Sequence, residues 1–352
     1  MTNSLINKDK VMKNLFIGVD FSKEKIDVVM ISANGLNETA PRMSNEFENN
    51  KSGFNKLVKW VKKNSDELDD SNVLFCGENT GGYSLGLCNY LYGKGKDMWL
   101  ENAKNIKDAS GIRRLKSDRA DASMIAEYAM RNYDRAIIYK PLSQPLSDLR
   151  ELFLHRQMLV RARSGFMVRR SEKRLTMEKS PAKTVISQSG RHLITELNKE
   201  IAKIDKNIED LINSNDELKE VYAIVTSVPG IGTQNAVCLM VYTDNFRKFN
   251  YDSRKIACYY GIAPFGKDSG TSVHSDPHVH FMANKQLKAI LTQAALTATI
   301  HNPVIRDYYQ RLLVRGKKKQ VAMNNVKNKL IHIVTAMVRN HQPFNPEYRI
   351  SA

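Results

Sequence analysis

Two apolar stretches near the start of the chain alternate as β-strands do, and each ends beside an acidic residue. In residues 15–21 every second side chain is large and apolar, and Asp20 lies on the opposite face with Phe16 and Gly18. Residues 73–77 form a second apolar run, which Glu78 follows directly. An acid at the end of a buried strand has no role in packing, so the pattern predicts a sheet with a functional edge.

A second pair of acids opens a helical pattern further along the chain. Asp118 and Asp121 are three residues apart in KSDRADA. Taken alone, the pair is better explained as a helix cap, since an Asp at the N-cap with an acid three residues later resembles a capping box. In order with Asp20 and Glu78, the pair completes a set of four carboxylates, which suits a hard divalent cation. In a basic protein, this set predicts metal-assisted chemistry on a phosphodiester.

The charge of the chain points to a polyanionic partner. Its 352 residues carry a formal net charge of +17, with the basic residues clustered. Nucleic acid is a better candidate than a membrane surface, although charge that merely keeps the protein soluble is the alternative. We find no C-x-x-C pair, secretory signal or membrane-spanning apolar run, and so we expect a cytoplasmic protein with reduced thiols at Cys76, Cys88, Cys238 and Cys258.

The hydrophobic patterns divide the chain into three predicted regions. Residues 1–145 read as an α/β domain that begins with an antiparallel hairpin of strands 15–21 and 26–31. Residues 146–220 have the heptad spacing of a helical hairpin or coiled coil, interrupted at Ser180–Pro181 and at Ser187–Gly190. Residues 221–352 are expected to form a mainly helical domain.

Two features of the second and third regions suggest contacts with nucleic acid. Arg156, Arg163 and Arg170 are seven residues apart and form a basic edge, for which a solvated coiled-coil face is the alternative. Gly230 and Gly232 occupy the turn of a helix-hairpin-helix pattern, where glycines allow the backbone to approach a phosphate. A tight connection between two helices would explain the same residues.

The motifs together resemble a known family. FIGVDFSK (16–23), ENTGGY (78–83) and KSDRADASMIA (116–126) resemble the RuvC-like domain of the DEDD transposases. These are the insertion-sequence recombinases of the "one-ten" group, which includes recombinases guided by a bridge RNA. PGIG (229–232), YYGIAP (259–264) and DSG (268–270) resemble the second transposase domain of that family.

The resemblance implies a fold, a cofactor and partners. The N-terminal domain would be RNase H-like, and Asp20, Glu78, Asp118 and Asp121 would bind two Mg²⁺ ions. The partners would be donor and target DNA, a structured guide RNA, and further copies of the chain in a dimer or tetramer.

The resemblance also implies a nucleophile. Ser269 would attack DNA and form a covalent link to it, with Ser272 and Ser275 as close alternatives. Residues 278–284 depart from the basic, glycine-containing turn that the family has after this serine.

Two groups of residues around these sites have competing explanations. Basic residues precede both sites: Arg113, Arg114 and Lys116 come before the paired aspartates, and Lys267 comes before the serine. These side chains would either grip the substrate or form a solvated surface. His274, His278 and His280 do not have a usual zinc spacing.

Two rival functions remain open at this point. One is a RuvC-like junction nuclease that hydrolyses DNA with water and needs no serine. The other is a non-catalytic nucleic-acid-binding protein that has kept the fold.

Overall fold

A computed structural model of the chain describes residues 13–33, 42–65, 72–109, 111, 117–176, 180–269, 273–279 and 284–347. It divides into two compact units, residues 1–141 and 142–352. Among the described helices, none is both long and apolar enough to cross a membrane.

The first unit is built on a five-stranded sheet. Its strands are β1 (Leu15–Phe21), β2 (Lys25–Ser32), β3 (Arg42–Glu48), β4 (Val73–Glu78) and β5 (Asp97–Glu101). Their order across the sheet is β3-β2-β1-β4-β5. The hairpin partners β1, β2 and β3 are antiparallel, whereas β4 and β5 run parallel to β1. The predicted α/β character of this region is confirmed.

Helices cover both faces of this sheet. They are α1 (Lys51–Asn64), α2 (Gly82–Gly93), α3 (Ala103–Ala109) and α4 (Asp118–Asn132). Apolar residues of α1 and α2 share one buried cluster with the alternate residues Leu15, Ile17 and Val19 of β1. Residues of α4 pack on the other face, around Phe16, Leu74 and Trp99. Both faces are therefore sealed by apolar packing, and polar side chains on the α4 face are displaced to the edge of the sheet.

The second unit is mainly helical, as expected. Its helices are α5 (Gln144–Thr176), α6 (Pro181–Asn213), α7 (Asp216–Thr226), α8 (Thr233–Thr243), α9 (Ser253–Tyr259), α10 (Lys285–His301), α11 (Pro303–Val314) and α12 (Lys319–Arg339). A single buried cluster joins the start of α5 and the end of α6 to α7–α12.

Helices α5 and α6 form an antiparallel pair, as the contacts of Arg156 with Asp205 and of Arg163 with Asn198 show.

The break predicted at Ser187–Gly190 is wrong. Helix α6 begins at Pro181, where the Ser180 side chain caps it by accepting from the Lys183 N–H, and it continues through 187–190. A Pro at the first position and a Ser N-cap are strong start signals, and the single Gly190 does not interrupt a helix of this length.

The second unit, although mainly helical, also contains two strands. Strands β6 (Pro264–Ser269) and β7 (Val273–Val279) form an antiparallel hairpin. The register of the hairpin shifts between Phe265 and Lys267, and Gly266 lies at that irregularity, where a residue without a side chain is often found in strands.

Candidate active site and nucleic-acid contacts

A row of acidic residues crosses all five strands of the sheet, near the end at which β1, β4 and β5 finish. Asp20 of β1 is paired with Asp27 of β2, and Asp27 is paired with Glu46 of β3. On the other side of β1, Val19 is paired with Gly77, so Glu78 of β4 follows beside Asp20, and Glu78 is paired with Glu101 of β5. Because residues in register point to the same face, each of the five strands contributes one carboxylate to the α4 face.

Helix α4 brings the paired aspartates to this edge. A Cβ on Gly18 would lie 2.1 Å from the Ala122 carbonyl oxygen and 2.4 Å from the Ala126 nitrogen, so only glycine lets α4 lie this close to β1. Gly18 is two residues before Asp20 on the same face, and Ala122 directly follows Asp121. This close contact therefore places the first turn of α4 next to the end of β1.

The cap of α4 is not provided by an aspartate. Ser117 is the N-cap, and its hydroxyl oxygen accepts a hydrogen bond of 3.2 Å from the Ala120 N–H. Asp118 is thus the first helical residue, and the capping-box explanation of Asp118 and Asp121 is wrong. Both acids still favour the helix start electrostatically, but neither is needed to cap it.

The electrostatics of Asp20 agree with the placement that the strand register and the packing of α4 give to the acids. The pKa of Asp20 is raised to about 6, first by burial and then by the charges of Asp121, Asp118, Glu78 and Asp27. Three of these four neighbours are the other acids of the predicted set. The sheet edge thus gathers Asp20, Glu78, Asp118 and Asp121 from three elements of the fold.

One lysine supplies positive charge inside this cluster. The Lys25 ammonium lies 2.8 Å from a Glu46 carboxylate oxygen, 3.2 Å from Asp27 and 3.4 Å from Asp118. Hydrogen bonds to these carboxylates, led by that to Glu46, raise the pKa of Lys25. The lysine is therefore a fixed positive charge at all ordinary pH values.

The donor set fits a hard divalent cation by its chemistry. Every acid of the cluster offers carboxylate oxygens, the ligands that Mg²⁺ and related ions prefer. Burial first, and then repulsion from the neighbouring acids, raises the pKa of Asp20, and a cation placed among these acids would relieve the repulsion. Within the described residues, however, no three acidic, His or Cys side chains already have the geometry of a metal site.

Three acids of the cluster were not singled out from the sequence. Asp27 interrupts an otherwise apolar strand in the same way as Asp20, and this signal could have identified it. Glu46 lies in a strand of mostly exposed polar residues, and Glu101 in a short strand, so neither has a comparable signal. Glu101 also accepts hydrogen bonds from Asn105 and Tyr128, which gives it a structural role.

The arginines of the helical pair differ in their surroundings. Arg156 donates two hydrogen bonds to Asp205, which also accepts one from Gln234 at 3.1 Å. Arg163 donates to Asn198 at 2.9 Å. The guanidinium of Arg156 is thus held by a carboxylate inside the second unit, whereas Arg170 is exposed.

The two glycines of the turn between α7 and α8 have different roles. Gly230 has a φ of +106°, and a Cβ there would lie 2.6 Å from the backbone of Ala298 in α10. Its conformation and its close packing on α10 explain this glycine without a phosphate. Gly232 is the N-cap of α8, provides no side-chain cap, and has nothing within 4 Å of its would-be Cβ. Of the two, Gly232 is the one that leaves room beside a helix N-terminus.

Several predicted residues lie at or beyond the described parts of the chain. Arg113, Arg114, Lys116, Ser272 and His280 are outside the described residues. Lys267 and Ser269 belong to β6, in which Ser269 is paired with Val273. Ser275, His274 and His278 belong to β7. The positions of all these residues follow from the backbone pairing of β6 with β7.

Comparison with protein families gives two matches. A model of DEDD transposases named for IS110 matches residues 17–176. A second model, described as the transposase IS116/IS110/IS902 family, matches residues 222–310. The first match contains Asp20, Glu78, Asp118 and Asp121, and the second contains the glycine turn and Ser269.

Curated relatives are similar either to most of the chain or to less than half of it. Pilin gene-inverting proteins of Moraxella lacunata and Moraxella bovis are each 26% identical over 346 residues, which cover 95% of this chain and 98% of theirs. An uncharacterized 43.6 kDa protein of the insertion element IS110 from Streptomyces coelicolor is 32% identical over 133 residues, which cover 38% of this chain and 32% of that protein.

Proposed function

Since the chain belongs to the IS110 family of DEDD transposases and is a DNA recombinase, we propose that it cuts and rejoins DNA at the ends of an insertion sequence through the acidic cluster. The observation that carries this proposal is the convergence of four acids from β1, β4 and α4, with the pKa of Asp20 raised to about 6. A divalent cation is the ordinary means of keeping so many carboxylates ionised beside a phosphodiester.

We assign the metal ligands to Asp20, Glu78, Asp118 and Asp121, and the ion to Mg²⁺ in two copies. Bound there, Mg²⁺ would polarise the scissile phosphate and stabilise the charge on the attacking and leaving oxygens. The chain positions the ligands through the short distance between α4 and β1 at Gly18, and seals the remainder of that face with apolar packing.

We assign the nucleophile to Ser269, at the end of β6. In the proposed step its hydroxyl oxygen forms a bond to the scissile phosphorus, the bond to the leaving deoxyribose oxygen breaks, and the hydroxyl proton is lost to a base or to the leaving oxygen. Rejoining is the same exchange in reverse, with a deoxyribose hydroxyl as the attacking group. A phosphodiester bond is kept throughout, so no external energy source is needed.

The assignment of Ser269 is tested by trapping the protein on DNA. The wild-type protein, with Mg²⁺ and DNA carrying its own element ends, is expected to give an adduct that survives denaturation, and Ser269→Ala is expected to give neither adduct nor cleavage. Ser272→Ala and Ser275→Ala are matched controls that should retain both. Cleavage by Ser269→Ala would instead support the junction nuclease that uses water.

The role of the acids is tested with Asp118→Asn, which keeps the size of the side chain. A transition state that depends on these ligands should lose at least about 10²-fold in rate when one of them is removed. Asp108→Asn, on the exposed surface of α3, is a control of the same chemistry. If Asp118→Asn acted like wild type, a non-catalytic binding protein would be the better explanation.

We further propose that a structured RNA guides the reaction and that the active form is a dimer or tetramer of this chain. The net charge of +17 supports a second polyanionic partner besides DNA. Sequencing of the RNA that co-purifies with the protein tests this: a discrete transcript from the flanks of its own gene is expected. RNA of random origin would argue against a guide.

DNA inversion is a second candidate for the same chemistry. The Moraxella relatives named as pilin gene-inverting proteins align over 95% of this chain, farther than the insertion-element protein of Streptomyces coelicolor. Inversion and transposition share strand cleavage and rejoining and differ in the arrangement of the DNA ends. A plasmid carrying the element ends in both orientations would tell them apart by its products.

A further inference from the structure

Lys25 occupies a place in the acidic cluster that the proposed reaction does not explain. It is the first residue of β2, and its ammonium contacts acids from three elements: Asp27 of β2, Glu46 of β3 and Asp118 of α4. The Lys25 side chain is 40% exposed, so burial alone does not force its ammonium against these carboxylates. Three carboxylates around one ammonium are more than an isolated surface ion pair would provide.

The contact with Asp118 connects this lysine to the proposed metal site. Asp118 is one of the four assigned ligands, while Asp27 and Glu46 are outside that set. A carboxylate oxygen that hydrogen-bonds an ammonium has less electron density to offer to a cation. An ammonium is also a compact positive charge that cannot itself be a ligand, and it repels a nearby metal ion.

We propose that Lys25 is a positioning residue that holds Asp118 in the metal-free protein and competes with the divalent cation for it. This inference rests on the proposed metal site. Lys25 offsets the repulsion among the acids before metal binds, and it then yields Asp118 to the metal while Glu46 and Asp27 keep the ammonium in place. It thereby sets how much metal the protein needs.

The size of the effect follows from the exposure of the pair. Asp118 is 61% exposed, and partly exposed ion pairs change an equilibrium by about two- to fivefold. Release of Asp118 from Lys25 should therefore change the dissociation constant for the metal by a similar factor. The direction is a tighter constant when the lysine is removed.

The test is titration of Mg²⁺ into the full chain without nucleic acid, followed by calorimetry. Lys25→Met is expected to lower the dissociation constant about two- to fivefold, and Lys25→Arg, which keeps the charge, should stay near wild type. In thermal unfolding without metal, Lys25→Met should have a lower midpoint than wild type, because the acids lose their counter-charge.

Lys23→Met is the matched control. Lys23 lies two residues earlier, is exposed, and has no ion pair among the described residues. Its removal changes the net charge by the same amount as Lys25→Met without touching Asp118. We expect its dissociation constant to stay within about 1.5-fold of wild type, because a solvated charge is well screened.

Each remaining outcome is decisive. An unchanged or weaker constant for Lys25→Met, or an equal gain for Lys23→Met, would overturn the role of Lys25 while the metal site stands. Absence of saturable Mg²⁺ binding in the wild type, or binding that Glu78→Gln leaves intact, would overturn the metal site itself and the inference with it.

Discussion

At the scale of single residues, Asp20 shows how the fold prepares its acids. It is half-buried at the end of β1, and both burial and four neighbouring carboxylates raise its pKa to about 6. Above that pH the ionised side chain costs stability in the absence of metal. The raised pKa is thus a cost in the metal-free protein that a bound cation would reverse.

This cost predicts a pH dependence for Asp20→Asn. The folded pKa lies above the usual value of 3.8. The penalty is therefore full above pH 6 and fades as the pH falls towards 4. In denaturant titrations without metal, Asp20→Asn should be more stable than wild type at pH 7.5, and the difference should shrink at pH 5. A difference that grows towards pH 5 would contradict the raised pKa.

Sequence patterns identified single residues unevenly. Asp20 and Glu78 were found because a charged residue is conspicuous in or after an apolar strand. Glu46 and Lys25 were missed because their role depends on the register of β2 with β3, and β3 has a polar, mostly exposed sequence. Register is fixed by contacts across strands, which a local pattern does not contain.

At the scale of elements, the turn between α7 and α8 contains two glycines with different surroundings. One is packed against another helix, and the other has free space around it. Gly230 has a positive φ and lies against the backbone of α10, whereas Gly232 has an ordinary φ of −90° at the start of α8. The sequence predicted both helices and the turn, because Pro229 and the glycines are strong turn signals. It could not show that one glycine is fixed by a helix 68 positions further along the chain.

These two glycines make a matched pair for mutation. Gly230→Ala should lower the free energy of unfolding by roughly 2–4 kcal/mol, because it adds a strained φ to an overlap with Ala298. Gly232→Ala should cost less than about 1 kcal/mol. Urea denaturation followed by circular dichroism measures both. If Gly230→Ala were as stable as Gly232→Ala, close packing would not be the reason for this glycine.

At the scale of the whole molecule, charge is the dominant property. The chain carries a net +17, and it belongs to a family that acts on DNA. Composition predicted the class of partner, since a basic excess of this size favours a polyanion. Composition could not supply the two-unit organisation, in which the long helices α5 and α6 share a core with α7–α12.

Binding to DNA should therefore depend strongly on salt. The dissociation constant for random duplex DNA is expected to rise about 10²–10³-fold between 50 and 200 mM salt, as contacts with roughly four to six phosphates would require. Fluorescence anisotropy with a labelled duplex measures it. A rise of less than about tenfold would mean that few phosphates are contacted.

The basic stretch before α4 can be tested in the same assay. A triple serine variant of Arg113, Arg114 and Lys116 should reduce the salt slope by up to about three, one for each lost phosphate contact. The control removes three exposed lysines of α1: Lys59, Lys62 and Lys63. An equal reduction in both variants would assign binding to overall charge and not to this stretch.

The close approach of Gly18 to α4 also limits which changes in chain length this enzyme can accept. Ala122 and Ala126 are fixed against β1, so the angle at which Asp118 and Asp121 leave the helix is fixed as well. One residue inserted between Asp121 and Ala122 would turn both acids by about 100° around the helix axis and shift them about 1.5 Å along it. We therefore expect selection against insertions and deletions in this turn of the helix, because they misplace both acids, even where single substitutions are tolerated.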